Sequence, residues 1–138
     1  MRFRRLGKTE LGTSVVGLGT YQFGGSWGKD FTKKEAADII AAARDGEINL
    51  IDTAECYGVD HLSERLVGQS IASSRSRWIL ATKFGHVRKD HSHNTKSLGV
   101  DSVRQQLEAS LRALGTDYVD LYQFHSGPNE DFDNDELY

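Results

Sequence analysis

The chain has one cysteine, Cys56, and one proline in 138 residues. A single thiol cannot close an internal disulfide, so a disulfide framework is excluded and a reducing, cytoplasmic setting is expected. Apolar runs last only a few residues, too short to span a bilayer. The basic start MRFRRLGKTELG lacks an apolar core and a small-residue cleavage site, so it does not read as a secretory signal. A formal net charge of -3 gives no electrostatic footing for nucleic acid or an anionic membrane. There is no internal repeat, low-complexity tract or linker. The dinucleotide fingerprint G-x-G-x-x-G is also missing, because GLGTYQFGG has the glycines but not the spacing.

Glycine, by contrast, is plentiful at 14 residues, as many short turns would require. FRRLGKTELGTSVVGLGT reads as short extended pieces around glycine turns, a hairpin followed by a strand near Val15–Gly19. TKKEAADIIAAARDGE predicts a helix: Thr32 and Glu35 have capping-box spacing, Ala36, Ile39, Ile40 and Ala43 form an apolar stripe, and Gly46 closes it. INLID (Ile48–Asp52) predicts a buried strand, and a helix follows from about Ser63 with Leu66, Val67 and Ile71 inward. Arg77–Lys83 predicts the next strand, then a long polar loop, FGHVRKDHSHNTKSLG. The third helix carries Val103, Leu107, Leu111 and Leu114 on one face, with Ser102 and Gln105 as its capping box and Gly115 as its stop. Tyr118–Gln123 predicts a fourth strand, and NEDFDNDELY the acidic first turn of a helix.

Strands alternating with helices imply βαβ units and a parallel sheet. Four units suit either an open doubly wound sheet or half of an eight-stranded barrel. In both, functional residues gather at the carboxyl ends of the strands. Those ends carry Asp52, Lys83 and His125, with Tyr57 in the loop after the second strand. Together these types suit proton donation to a carbonyl oxygen. A tyrosine, with an ordinary pKa of about 10, is a poor acid at neutral pH. A neighbouring ammonium stabilises its phenolate, a carboxylate holds the ammonium, and an imidazole donates a hydrogen bond to the substrate oxygen. Taken singly, each residue reads more simply as a cap or a solvated side chain.

The segments GLGTY, GEINLIDTAECYG, SERLVG, ILATKFG and LRALGTDYVDLYQFH together resemble the aldo-keto reductases, in family order and over essentially the whole chain. The resemblance implies a (β/α)8 barrel closed at its bottom by a short hairpin, and reduction of aldehydes or ketones with NADPH, NADH being the alternative. It makes Tyr57 the general acid, supported by Lys83, with Asp52 paired to Lys83 and His125 orienting the carbonyl. It places Gly19, Thr20 and Tyr21 near the cofactor, has Asp52 also touch the nicotinamide ribose, and makes Trp27 a candidate wall of the substrate pocket, the alternative being a partly buried loop aromatic.

Family members run to roughly 300 residues, the size of a complete barrel. The chain is therefore expected to be a single domain, the N-terminal half of a barrel of about four βα units, belonging to a longer enzyme. Alone it is expected to bind NADPH weakly and turn over slowly or not at all, and to self-associate or require the other half. The alternative is an inactive half-barrel acting as a binding or assembly module. His86, His91 and His93 cluster in one loop, but no further Cys or carboxylate motif completes a metal site, so no metal is expected. Cys56 has no activating base nearby in sequence and is expected to pack rather than react.

Overall fold

Four short strands lie side by side and parallel, in the order β3 (Leu18–Gly19), β4 (Leu50–Asp52), β5 (Ile79–Phe84) and β8 (Leu121–Phe124). The computed structural model describes residues 1–25, 27–88 and 94–132. Helices α1 (Lys33–Asp45), α2 (Leu62–Ile71) and α3 (Val100–Leu114) connect them, and α4 (Asn129–Phe132) follows β8. This is half of a (β/α)8 barrel, the architecture expected. The antiparallel hairpin β1 (Phe3–Arg5) and β2 (Gly12–Ser14) precedes it. Asn49, at the entry to β4, ties the hairpin down: it accepts from Ser14 N–H at 2.7 Å and donates to the Gly12 carbonyl at 2.9 Å. The hairpin therefore sits at the opposite end of the sheet from the strands' carboxyl termini. Among the described residues no helix is long and apolar enough to cross a membrane.

Register decides which side chains share a face. Gly19 pairs with Asp52, Asp52 with Ala81, and Lys83 with Gln123. With a side-chain period of two, Asp52, Ala81, Lys83 and Gln123 lie on one face. The other face buries Ile51 and Leu80 against Ala36 and Ile40 of α1, Leu66, Val67 and Ile71 of α2, and Leu114 of α3. The Thr32–Glu35 capping box forms as expected. Gly68 lets α2 touch the end of α3, since a Cβ there would lie 2.2 Å from the Leu114 carbonyl oxygen.

Four expectations need correction. The segment after β5 is not wholly loop: β6 (His86–Arg88) and β7 (Asn94–Lys96) pair antiparallel within it. The α3 capping box is absent. The helix starts one turn earlier after Gly99, and Ser102 instead accepts from Gln106 Nε2 at 3.0 Å. Of the expected stripe on α3 only Leu114 is buried, and the polar Gln106 and Ser110 share its buried face. Strand β8 begins at Leu121 because Asp120 uses its carboxylate, accepting from Leu80 N–H at 2.9 Å and Arg75 at 2.8 Å.

Candidate active site

The carboxyl ends of β4, β5 and β8 bring the four expected side chains together. Lys83 Nζ donates to Asp52 Oδ2 at 2.7 Å, to the Thr53 carbonyl at 2.8 Å and to Tyr57 Oη at 3.2 Å. The His125 ring lies 5.6 Å from that of Tyr57, nearly perpendicular to it. Lys83 is mostly buried at 13% exposure, whereas Asp52 keeps 39% of its side chain open. The ammonium is thus held in place by oxygen atoms on three sides while the rim stays accessible.

Glycine packing fixes the loop that carries Tyr57. A Cβ on Gly24 would lie 2.5 Å from the Tyr57 carbonyl carbon, and Gly58 has φ +90° with Gly24 against it. The turn after β3 and the Tyr57 loop can therefore meet backbone to backbone. Ser63 N–H donates to the Tyr57 carbonyl at 3.0 Å and pins the loop to α2.

Burial lowers the His125 pKa to about 4, aided by the nearby Lys83 charge and by His86, with Asp52 opposing. The imidazole is therefore neutral at pH 7 and has one N–H to donate. Cys56, expected to lack a nearby base, lies with Sγ 3.5 Å from His125 Nδ1, a residue 69 positions away in sequence. Cys56 is buried, as expected. His86 packs edge-on to His125 at 5.1 Å, and its Nε2 meets Ser126 Oγ at 2.7 Å. His91 and His93 lie outside the described residues, and among the described residues no three His, Cys, Asp or Glu side chains are grouped to hold a metal.

The first-strand residues divide. Gly19 is exposed, and a Cβ there would meet nothing within 4 Å. Tyr21 stands edge-on to Tyr57 at 5.0 Å, and Trp27, 71% exposed, stands edge-on to Tyr21 at 6.2 Å. Thr20 is fully buried, its hydroxyl donating to the Asp52 carbonyl at 3.1 Å and accepting from Ser63 at 2.9 Å. It braces β3 against β4, and no part of it reaches the open rim. Sequence reasoning missed Gln123, whose Nε2 donates to Asp52 Oδ1 at 3.3 Å. Its position two strand residues before His125, in register with Lys83, is the signal that marks it.

The sequence profile of the Aldo/keto reductase family matches residues 15–136. The chain is 38% identical over 132 residues to the NADH-specific methylglyoxal reductase of Escherichia coli (strain K12), covering 87% of this chain and 40% of that protein. It is 37% identical over 129 residues to the aldo-keto reductase YhdN of Bacillus subtilis (strain 168), covering 91% of this chain and 38% of that protein. The structure superposes on an aldo-keto reductase of Bacillus halodurans in its holo form with a TM-score of 0.84 and 32% identity, over 95% of this chain and 42% of that one. The chain thus spans about two fifths of the length of these relatives. With the half-barrel and the strand-end constellation alongside these matches, the chain belongs to the aldo/keto reductase family.

Proposed function

We infer that this chain supplies the proton-donating side of an NAD(P)H-dependent reductase that converts an aldehyde or ketone to an alcohol. The observation that carries the reading is the chain of contacts from Asp52 to Lys83 Nζ at 2.7 Å and on to Tyr57 Oη at 3.2 Å. As Tyr57 gives its proton to the carbonyl oxygen, phenolate charge develops beside a fixed ammonium and is stabilised there. Asp52 keeps that ammonium in place, and Gln123 steadies the second Asp52 oxygen. Neutral His125 donates its N–H to the same carbonyl oxygen and orients it toward Tyr57. When bound, the nicotinamide supplies the hydride that reaches the carbonyl carbon.

The rim fits a flat ring. Gly19 leaves open space in register with the half-exposed Asp52, which would reach the nicotinamide ribose. Tyr21 continues this cofactor side, and Thr20 sits behind it as a brace. Trp27 would wall the carbonyl side through its contact with Tyr21. NADPH is the cofactor we assign, with NADH as the alternative. A Klebsiella pneumoniae relative was solved with NADP, whereas the Escherichia coli relative is named for NADH.

The reading applies to a complete barrel, of which residues 1–138 form one domain-like half. Strands β3 and β8 are the two outer strands of the sheet. Their outer edges would meet four further strands or a second copy of this chain. The same edges favour the second reading, a half-barrel whose role is assembly. Aldehyde-dependent oxidation of NADPH or NADH by the complete barrel separates the two. Lys83→Met should lower that turnover by orders of magnitude while nicotinamide binding persists, and wild-type protein that binds nicotinamide yet reduces no aldehyde would leave assembly as the function.

A further inference from the structure

Behind the Tyr57 loop lies an open cavity of about 830 Å³, bordered by that loop, strands β6 and β7 and helix α3. Its walls include Glu55, Val59, Val87, Lys96, Gln106 and Ala109, and none of Asp52, Tyr57, Lys83 or His125. Several polar groups on it are already partnered. Lys96 pairs with Asp131 at 3.2 Å, and Asp60 pairs with Arg65. Gln106 donates to the Ser97 carbonyl at 2.8 Å and accepts from Gly85 N–H at 2.8 Å. Glu64, fully buried just behind, accepts from Thr82 at 2.6 Å and pairs with His61.

Glu55 is the exception. Its side chain is 5% exposed and neither carboxylate oxygen has a hydrogen-bond partner. We propose that this cavity binds a small organic ammonium ion, with Glu55 as the counter-charge.

Burial, reinforced by the charge of Glu64, raises the Glu55 pKa to about 8, so the empty site holds a neutral acid at pH 7. The His86 backbone N–H opposes this without meeting hydrogen-bond geometry. Other titratable groups around Glu55 are Asp60 and His61 on the wall with Glu64 at α2, Tyr122 on β8 and Lys96 on β7, while α3 contributes only neutral side chains to the wall. The Tyr122 phenol is itself pushed up, first by burial and then by both glutamates.

The chemistry of the wall selects the ligand. A metal would need three or more protein ligands, and no such group exists among the described residues. An anion would meet the Glu55 and Asp60 carboxyl groups, and the one lysine on the wall, Lys96, is already paired with Asp131. An ammonium brings compact charge and three donors, which an unpartnered carboxylate can accept. Val59, Val87 and Ala109 offer apolar wall for a short alkyl chain. Asp60 and His61, adjacent on the wall, both hold positive φ (52° and 55°), and such backbone strain concentrates at ligand sites. On binding, the Glu55 carboxylate turns outward into the cavity it borders, pairs with the ammonium and releases its proton to solvent. One cation enters and one proton leaves. The proposal is independent of reductase activity.

The test is calorimetric titration of the protein with n-butylammonium chloride at pH 6, 7 and 8, in two buffers of different ionisation enthalpy. Saturable 1:1 binding is expected, tightening about tenfold from pH 6 to 7 and less from pH 7 to 8, with close to one proton released per ligand at pH 6 and 7 and about half at pH 8. n-Butanol, of the same shape without the charge, should bind at least about tenfold more weakly. Glu55→Gln should lose both the affinity and its pH dependence. Ala109→Phe, which fills the cavity from α3 and leaves Glu55 untouched, should also weaken binding and guards against a Glu55 variant that fails to fold. Binding no stronger than that of potassium ion, binding unchanged in Glu55→Gln, or binding without proton release would each overturn the proposal.

Discussion

Asp52 and Glu55 stand three residues apart in one stretch, and their neighbours treat them oppositely. Asp52 is 39% exposed and meets Lys83 at 2.7 Å and Gln123 at 3.3 Å. Glu55 is 5% exposed and neither of its carboxylate oxygens makes a hydrogen bond. Alternation explains the first: Asp52 ends β4 on the face that Lys83 and Gln123 share. The loop explains the second: past β4 the chain turns away from the rim and tucks Glu55 under the β6–β7 hairpin. Glu64 is the instructive third case, fully buried yet satisfied by Thr82 and His61. Burial alone therefore does not make Glu55 unusual; lack of a partner does.

The comparison can be broken first on the rim. Lys83→Met removes the cation between Asp52 and Tyr57, and carbonyl turnover should fall by about 10²–10⁴-fold in steady-state assays. Next comes the satisfied acid. Glu64→Ala strips Thr82 and His61 of their shared partner and should cost about 3–5 kcal/mol in denaturant melts.

Glu55 gives a smaller effect with a distinctive sign. Its pKa rises from 4.5 to about 8 on folding, so the folded state holds the extra proton between those values. Its stabilising contribution is present below pH 4.5 and is lost as pH rises toward 8, by at most about 1.4 kcal/mol per pH unit. His125 acts oppositely: its pKa falls from 6.5 to about 4, so its contribution is present above pH 6.5 and lost as pH falls toward 4. The two offset each other between pH 4.5 and 6.5. A net decline in stability should therefore appear from pH 6.5 to 8, and Glu55→Gln should flatten it in pH-resolved melts. Smallest of all, Gln123→Leu takes one long hydrogen bond from Asp52 and leaves Lys83 in place; about 0.5–1.5 kcal/mol of stability should be lost.

Much of this contrast was legible in the sequence on one side only. The capping box at Thr32, the α2 stripe and the alternation of strands with helices fixed the parallel sheet, and that sheet brought Asp52, Lys83 and His125 to one rim. Gln123 was open to the same period-two argument. Glu55 was not legible, because hydrophobic patterning assigns charged residues to solvent and cannot show which loop the hairpin covers. That hairpin was hidden too: in HVR and NTK only Val87 and Thr95 favour a strand, among polar neighbours that read as loop. Helix α3 misled in the same way, burying Gln106 and Ser110 where the pattern offered Val103, Leu107 and Leu111. The approach of Cys56 to His125 joins residues 69 positions apart, a contact no local pattern carries.

The central claim is that Tyr57 donates the proton in a nicotinamide-dependent carbonyl reduction. It is tested most directly by aldehyde-dependent NADPH or NADH oxidation in the complete barrel carrying Tyr57 or Tyr57→Phe. The phenylalanine keeps the ring that packs on Tyr21 and His125 and removes only the hydroxyl that meets Lys83. Turnover should fall by about 10²–10⁴-fold with nicotinamide affinity retained; turnover equal to wild type in Tyr57→Phe would contradict the account.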